Sequence, residues 1–217
     1  MPFGKHIQKS RSLMEIKRYQ NKFMHKRRSV AEHMWAVSKI AQGLALWEVK
    51  KFKNEVDMAN LLQRAINHDI IEMTTGDILS GTKKRTEDMK KAIDSMEEIA
   101  FNEDLRGDLP KSWVEEFRGY ALQPKDETIE GKIISAADTI DAMLECIDEI
   151  KLGNEHEFSF ILIDLAESLI EIDLDSVRYF MKFALLDFGL DIRKYYGANV
   201  YRYIESIEFP DRVFLNQ

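Results

Sequence analysis

The sequence predicts an all-α fold, a single-domain helical bundle, and three observations predict it. Apolar residues recur mostly at three- and four-residue steps, the spacing that lines one face of an α-helix. The 217 residues include only 10 Gly and 4 Pro, so few positions interrupt such periods. Hydrophobic residues make up 45% and charged residues 32%, a balance that supports one well-buried core and argues against disorder.

The elements follow in order. A first helix is predicted over residues 7–19. A second, near 30–50, opens at Ser29 with Glu32 three residues on, which is capping-box spacing; its apolar stripe is Val30, Val37, Ile40 and Leu44, and His33 falls in it. A third, about 57–74, begins after Asn54 or at Asp57 and is expected to bury Met58, Leu61, Leu62, Ala65, Ile66 and Met73, with His68-Asp69 in mid-helix. Gly76 and Gly81 punctuate a loop. A helix near 85–104, a turn at Pro110, a short helix at 111–121 and a break at Pro124 come next. The helix at 126–151 carries Ile129, Ile133, Ala136, Ile140, Met143, Ile147 and Ile150, with Gly153 past its end. Helices at about 157–171, 173–187 and 189–206 complete the bundle. No linker, repeat or low-complexity tract divides the chain, so residues 1–217 are expected to form one domain, with a basic arm and first helix over 1–28 and a C-terminal extension over 195–217.

Composition limits the function. No apolar run approaches the ~18 residues of a membrane span, and the N-terminus lacks the apolar stretch of a signal peptide. Cys146 is the only cysteine, which excludes an intrachain disulfide and disfavours a thiolate metal site. The expectation is a cytoplasmic protein. The formal net charge is −7, yet Lys5, Lys9, Arg11, Lys17, Arg18, Lys22, Lys26, Arg27 and Arg28 face a single acid, Glu15, within residues 5–28. A basic arm on an acidic body suits an anionic ligand. No aromatic-interleaved basic stripe or DNA-binding motif accompanies it, so a bound phosphate group is the more economical partner than nucleic acid.

The chemistry gathers on a few residues. His68 and Asp69 are adjacent, His33 lies on the preceding helix and Asp138 on a later one. Together they make a four-ligand set for one divalent cation. Imidazole nitrogen with carboxylate oxygen suits Mn, Fe, Co, Ni or Zn better than Ca or Mg. A histidine on an apolar stripe is often only a hydrogen-bonded core residue, so His33 alone carries little. Asp69 beside Ile70 and Ile71, and Asp138 beside Ala136 and Ala137, are harder to dismiss, because a charge near a helix core is costly unless paired or metal-bound. Asp141, Glu145, Asp148 and Glu149 read as an acidic solvent face. Glu72 and Asp77, the latter in Thr75-Gly76-Asp77, are acids left over for proton transfer.

The stretches Arg28-Ser29-Val30-Ala31-Glu32-His33, Asn67-His68-Asp69-Ile70-Ile71-Glu72, Thr75-Gly76-Asp77 and Ala137-Asp138 resemble the HD-domain metal-dependent phosphohydrolases. More narrowly, they resemble the YfbR-like bacterial 5′-deoxynucleotidase group, over roughly residues 10–190. The resemblance implies that His33, His68, Asp69 and Asp138 bind one metal and that Arg18 contacts the substrate phosphate. It implies that Glu72 and Asp77 activate water and protonate the leaving 5′-oxygen, with Lys83 following the same loop. The aromatic next to the arginine, typically tryptophan in that group, is Tyr19 here, which puts deoxy-versus-ribo discrimination in question. The loop Ile78-Leu79-Ser80-Gly81-Thr82 lacks the prolines frequent in the group. A homodimer is also implied. Three readings follow: a nucleoside 5′-monophosphatase, an enzyme for di- or triphosphates or an alarmone, and a catalytically idle nucleotide-binding module. Intact Glu72 and Asp77 argue against the last.

Overall fold

The computed structural model describes residues 3–78, 80–83 and 85–210; Leu79, within the loop after Asp77, and the last seven positions of the C-terminal extension lie outside them. Among the described residues the regular structure is helical, apart from an isolated antiparallel bridge between Lys17 and Ser29. The helices are α1 (Phe3–Ser10), α2 (Val30–Trp47), α3 (Met58–Asn67), α4 (Glu72–Thr75), α5 (Ser80–Lys83), α6 (Glu87–Ala100), α7 (Val114–Leu122), α8 (Ile129–Lys151), α9 (Glu155–Ile170), α10 (Asp175–Tyr179), α11 (Ile192–Tyr195) and α12 (Gly197–Ser206). No helix is long and apolar enough to cross a membrane among the described residues.

The chain forms two compact units. The first comprises Met1–Phe23, Arg27–Ala36 and Gln63–Pro124; the second comprises Met24–Lys26, Val37–Leu62 and Lys125–Gln217. In the first unit, Leu13, Val30, Met34, Ile70, Ile71, Phe101, Leu105, Leu109 and Val114 form the core. Helix α1 docks there through rings, Phe3 edge-on to Trp113 at 5.7 Å and His6 edge-on to Phe117 at 5.9 Å between centroids. Lys9 ties its end down, reaching the Asp104 carbonyl and the Asp108 carboxylate at 2.6 Å each.

In the second unit α8 packs along α9. Ile133, Ala136, Ile140, Met143 and Ile147 of α8 and Phe158, Leu162, Ala166 and Leu169 of α9 are all buried. Each fully buried branched chain contributes on the order of 1.5–3 kcal/mol, so this helix pair carries much of the unit. Two buried glutamates are answered by donors. Glu48 accepts from the Ser176 amide at 2.7 Å and from Asn54 Nδ2 at 2.6 Å. Glu149 accepts from the His25 and Lys26 amides at 2.9 and 2.8 Å and from Asn154 Nδ2 at 2.9 Å.

Several expectations shift. The first helix begins at Phe3 and ends at Ser10, with a 3₁₀ turn to Met14, so Lys17 to Tyr19 are extended or turn residues rather than helical. The third helix stops at Asn67; Ile66, expected inside, is 60% exposed. The helix expected over 189–206 is cut in two at Gly197, whose φ of +88° breaks it. Most consequentially, Asp141, Glu145 and Glu149 are not a solvent face: they are 1%, 2% and 0% exposed.

Candidate metal centre and its proton-transfer groups

Helix α2 starts as its sequence requires. The Glu32 amide donates to Ser29 Oγ at 3.2 Å, and the Ser29 amide donates to Glu32 Oε2 at 2.7 Å. This reciprocal cap fixes the first turn, and His33 follows directly, fully buried. Those hydrogen bonds, backbone first, hold the Glu32 carboxyl below the usual carboxylate range.

The His68-Asp69 pair sits in a turn between α3 and α4 rather than in mid-helix. From Asn67 the backbone tightens: the Ile70 amide donates to the Asn67 carbonyl at 3.1 Å and the Glu72 amide to the Asp69 carbonyl at 3.0 Å, three residues back. Ile70 and Ile71, in this tightened stretch, are both buried, each 4% exposed. The tightened turn carries His68 and Asp69 between α3 and α4.

Three donor atoms converge there. His33 Nε2 and His68 Nε2 are 3.3 Å apart, and Asp69 Oδ2 lies 3.4 Å from the first and 3.3 Å from the second. His68 Nδ1 is 2.9 Å from the Ala65 carbonyl. That oxygen can only accept, so Nδ1 carries the proton and Nε2 presents its lone pair. Donors held ~2.0–2.2 Å from one ion at tetrahedral or octahedral angles stand ~2.8–3.6 Å apart. The triangle fits a divalent transition ion without rearrangement. Asp138 is in the second unit, on α8, where it is ion-paired with Lys125.

Glu72 opens α4 at 6% exposure, and its Oε2 is buried with no hydrogen-bond partner among the described residues. Burial first, then the Asp69 and Asp77 carboxylates, push its pKa up to about 9, while Lys83 and Arg18 pull the other way. Four further expected site residues therefore act electrostatically on this one carboxyl. Asp77 is delivered by Gly76, whose φ of 72° and ψ of 171° only glycine adopts freely. Its Oδ2 accepts from the Tyr19 amide at 2.9 Å. Arg18 and Tyr19 are 9% and 8% exposed, with the guanidinium carbon 5.4 Å from the ring centroid. Lys83, at the end of α5, pairs with Glu97 at 2.7 Å. Burial lowers the proton affinity of its amine, but Glu97, Asp69 and Glu72 more than offset this and raise its pKa.

The first unit thus brings together His33, His68, Asp69, Glu72, Asp77, Arg18, Tyr19 and Lys83. Sequence reasoning missed the buried carboxylates of α8. Asp141 and Glu145 stand three and seven residues beyond Asp138, hence on the same helix face; that spacing was the available signal.

The family model described as 5′-deoxynucleotidase YfbR-like matches residues 5–188. A 5′-deoxynucleotidase of Vibrio vulnificus is 30% identical over 164 residues, covering 76% of this chain and 84% of the relative. One from Photorhabdus laumondii is likewise 30% identical, covering 76% and 82%. Among solved structures, an HD-domain phosphohydrolase from Listeria innocua superposes with a TM-score of 0.83 at 30% identity, over 95% of this chain and 99% of that one. The cyanophage S-2L HD phosphohydrolase, solved with dA and one catalytic Zn²⁺, shares the fold at a TM-score of 0.57 and 17% identity, over 92% and 96%.

Proposed function

Because the chain belongs to the YfbR-like 5′-deoxynucleotidase family and has the all-α HD-domain fold, we propose that it is a metal-dependent phosphohydrolase removing the 5′-phosphate from deoxynucleoside monophosphates. The observation that carries this reading is the His33–His68–Asp69 triangle together with the buried Glu72 carboxyl, whose Oε2 has no hydrogen-bond partner among the described residues. In it His33, His68, Asp69 and Asp138 hold one divalent ion, of which Mn, Co, Zn, Fe and Ni match the nitrogen–oxygen donor set. When bound, such an ion supplies Lewis acidity toward a phosphate oxygen and lowers the pKa of a water.

The chain's own residues do the rest. Arg18 offers a planar fork to the phosphate oxygens, and Lys83 adds a second cation beside Asp69 and Glu72. Burial and neighbouring carboxylates give Glu72 a proton affinity far above that of a surface glutamate, the property needed by a group that exchanges protons near neutral pH. Glu72 and Asp77 divide the traffic. One takes the proton of the attacking water as its oxygen bonds to phosphorus, and the other returns a proton to the 5′-oxygen as the P–O bond breaks. Tyr19 places a flat face where the sugar is expected. The products are inorganic phosphate and a nucleoside. The reading also takes the chain as a homodimer.

The test is phosphate and pyrophosphate release from deoxy- and ribonucleoside mono-, di- and triphosphates. Metal-stripped protein is reloaded with Mn, Co, Mg or Zn, beside an Asp69→Asn control. Release from deoxynucleoside monophosphates that requires metal and vanishes in the control is the expected result. Activity that survives Asp69→Asn, or turnover of longer phosphate chains alone, sinks it.

A further inference from the structure

Residues 16–18 and 28–30 run antiparallel beside each other. The Arg18 amide donates to the Arg28 carbonyl at 3.0 Å, the Val30 amide donates to the Ile16 carbonyl at 2.9 Å, and the Lys17–Ser29 bridge lies between them. The chain leaves this pairing through Tyr19, a non-glycine residue at φ +52°. Left-handed backbone persists at such a residue only where its surroundings over-determine it, and here one side chain supplies most of the surroundings. Arg27 Nη1 donates to the Tyr19 carbonyl at 2.8 Å and more weakly to the Arg18 carbonyl at 3.3 Å, and Nη2 donates to the Lys22 carbonyl. The Lys22 amide closes the turn on the Tyr19 carbonyl at 3.0 Å. On its other side Tyr19 is held by Asp77, which takes its amide at 2.9 Å.

From this we infer that Arg27 is a positioning residue for nucleotide binding. Its fork holds the 18–22 turn in the one conformation that faces the Tyr19 amide toward Asp77 and stacks Arg18 over the Tyr19 ring. Lysine cannot replace it, since a single ammonium does not span three carbonyls in the fixed geometry of a guanidinium. Arg27 thereby acts on substrate affinity through residues 18 and 19 and leaves the metal ligands alone. The inference rests on the proposed nucleotidase reading, in which Arg18 and Tyr19 meet the substrate.

The experiment compares wild type, Arg27→Ala and Arg27→Lys in three readouts. Amide hydrogen exchange is followed at residues 19–22, Mn²⁺ affinity is measured by calorimetry with the metal alone, and kcat and KM are measured on a deoxynucleoside monophosphate. Both variants are expected to exchange faster at 19–22, to bind Mn²⁺ as wild type does, and to raise KM on the order of tenfold with a far smaller change in kcat. Unchanged KM, or a loss of Mn²⁺ affinity in step with KM, overturns the inference, the second by making Arg27 a general structural residue. Should Arg27→Ala not fold, Arg27→Lys, which keeps the charge and stem, carries the same expectation. A wild-type chain that turns over no nucleoside monophosphate overturns the proposed function itself, whereas normal wild-type turnover with indifferent Arg27 variants overturns only this inference.

Discussion

Glu72 is a carboxyl group that the fold keeps from ionising, and that cost has a direction in pH. Its unfolded-state pKa is near 4.5 and burial raises it to about 9 in the metal-free protein. Between those values the unfolded chain has released the proton while the folded chain still holds it. The folded state binds more protons there, so its stability falls as pH rises through that window. Glutamine is neutral at every pH and nearly the same shape. Glu72→Gln should therefore raise the melting temperature of chelator-treated protein more at pH 8 than at pH 5, and should lower kcat by roughly 10²–10⁴ in the metal-loaded enzyme. Melts of both proteins at the two pH values, with kcat alongside, check this. An equal gain at both pH values would mean that Glu72 is ionised throughout. None of this was visible from the residue's sequence position, which marks an acid one turn beyond a histidine but says nothing of how dry its surroundings are.

At the scale of elements, what could be read in advance depended on whether local rules and tertiary packing agreed. Ser29 and Glu32 cap α2 as their spacing predicts, because both partners lie within one turn and nothing distant competes. Past Asn67 the amides bond three residues back rather than four, a tightening that the apolar period does not announce, and Ile66, expected in the core, is exposed on α3. The acids of α8 failed for a related reason: Glu149 has distant amide donors that no helical period reveals. Gly76 is the converse case, where a single residue type announced a turn and the turn is there. A Cβ at Gly76 would meet no atom within 4 Å, so its substitution is opposed by backbone strain alone. Gly76→Ala should cost about 1–3 kcal/mol of stability and, by shifting Asp77, lower kcat while metal affinity stays within a few-fold of wild type. Urea unfolding, calorimetry and steady-state kinetics measure the three quantities. Unchanged kcat would show that Asp77 needs no placement by this turn.

For the whole molecule, the arithmetic of buried charge makes the cation part of the fold's energetics. Asp69 in the first unit is a carboxylate with little solvent, 18% exposed beside two buried imidazoles, a charge that burial penalises unless it is paired or metal-bound. A divalent ion bound by the folded chain and not by the unfolded one stabilises by linkage, about 2.7 kcal/mol at a free concentration 100 times Kd. For a chain of this size that corresponds to a rise in melting temperature on the order of 5–11 °C. Metal-stripped protein titrated with Mn or Zn should show this rise with a concentration dependence set by Kd. In His33→Ala or Asp138→Asn the same rise should require at least tenfold more metal, since the first loses a donor and the second the negative charge of one. The two variants separate the claims. His33 tests the triangle that the first unit displays, and Asp138 tests the fourth ligand, which rests on family resemblance. A melting temperature indifferent to transition metals would remove the metal centre altogether. A normal response in Asp138→Asn would keep the centre but require its remaining positions to be filled by water and substrate.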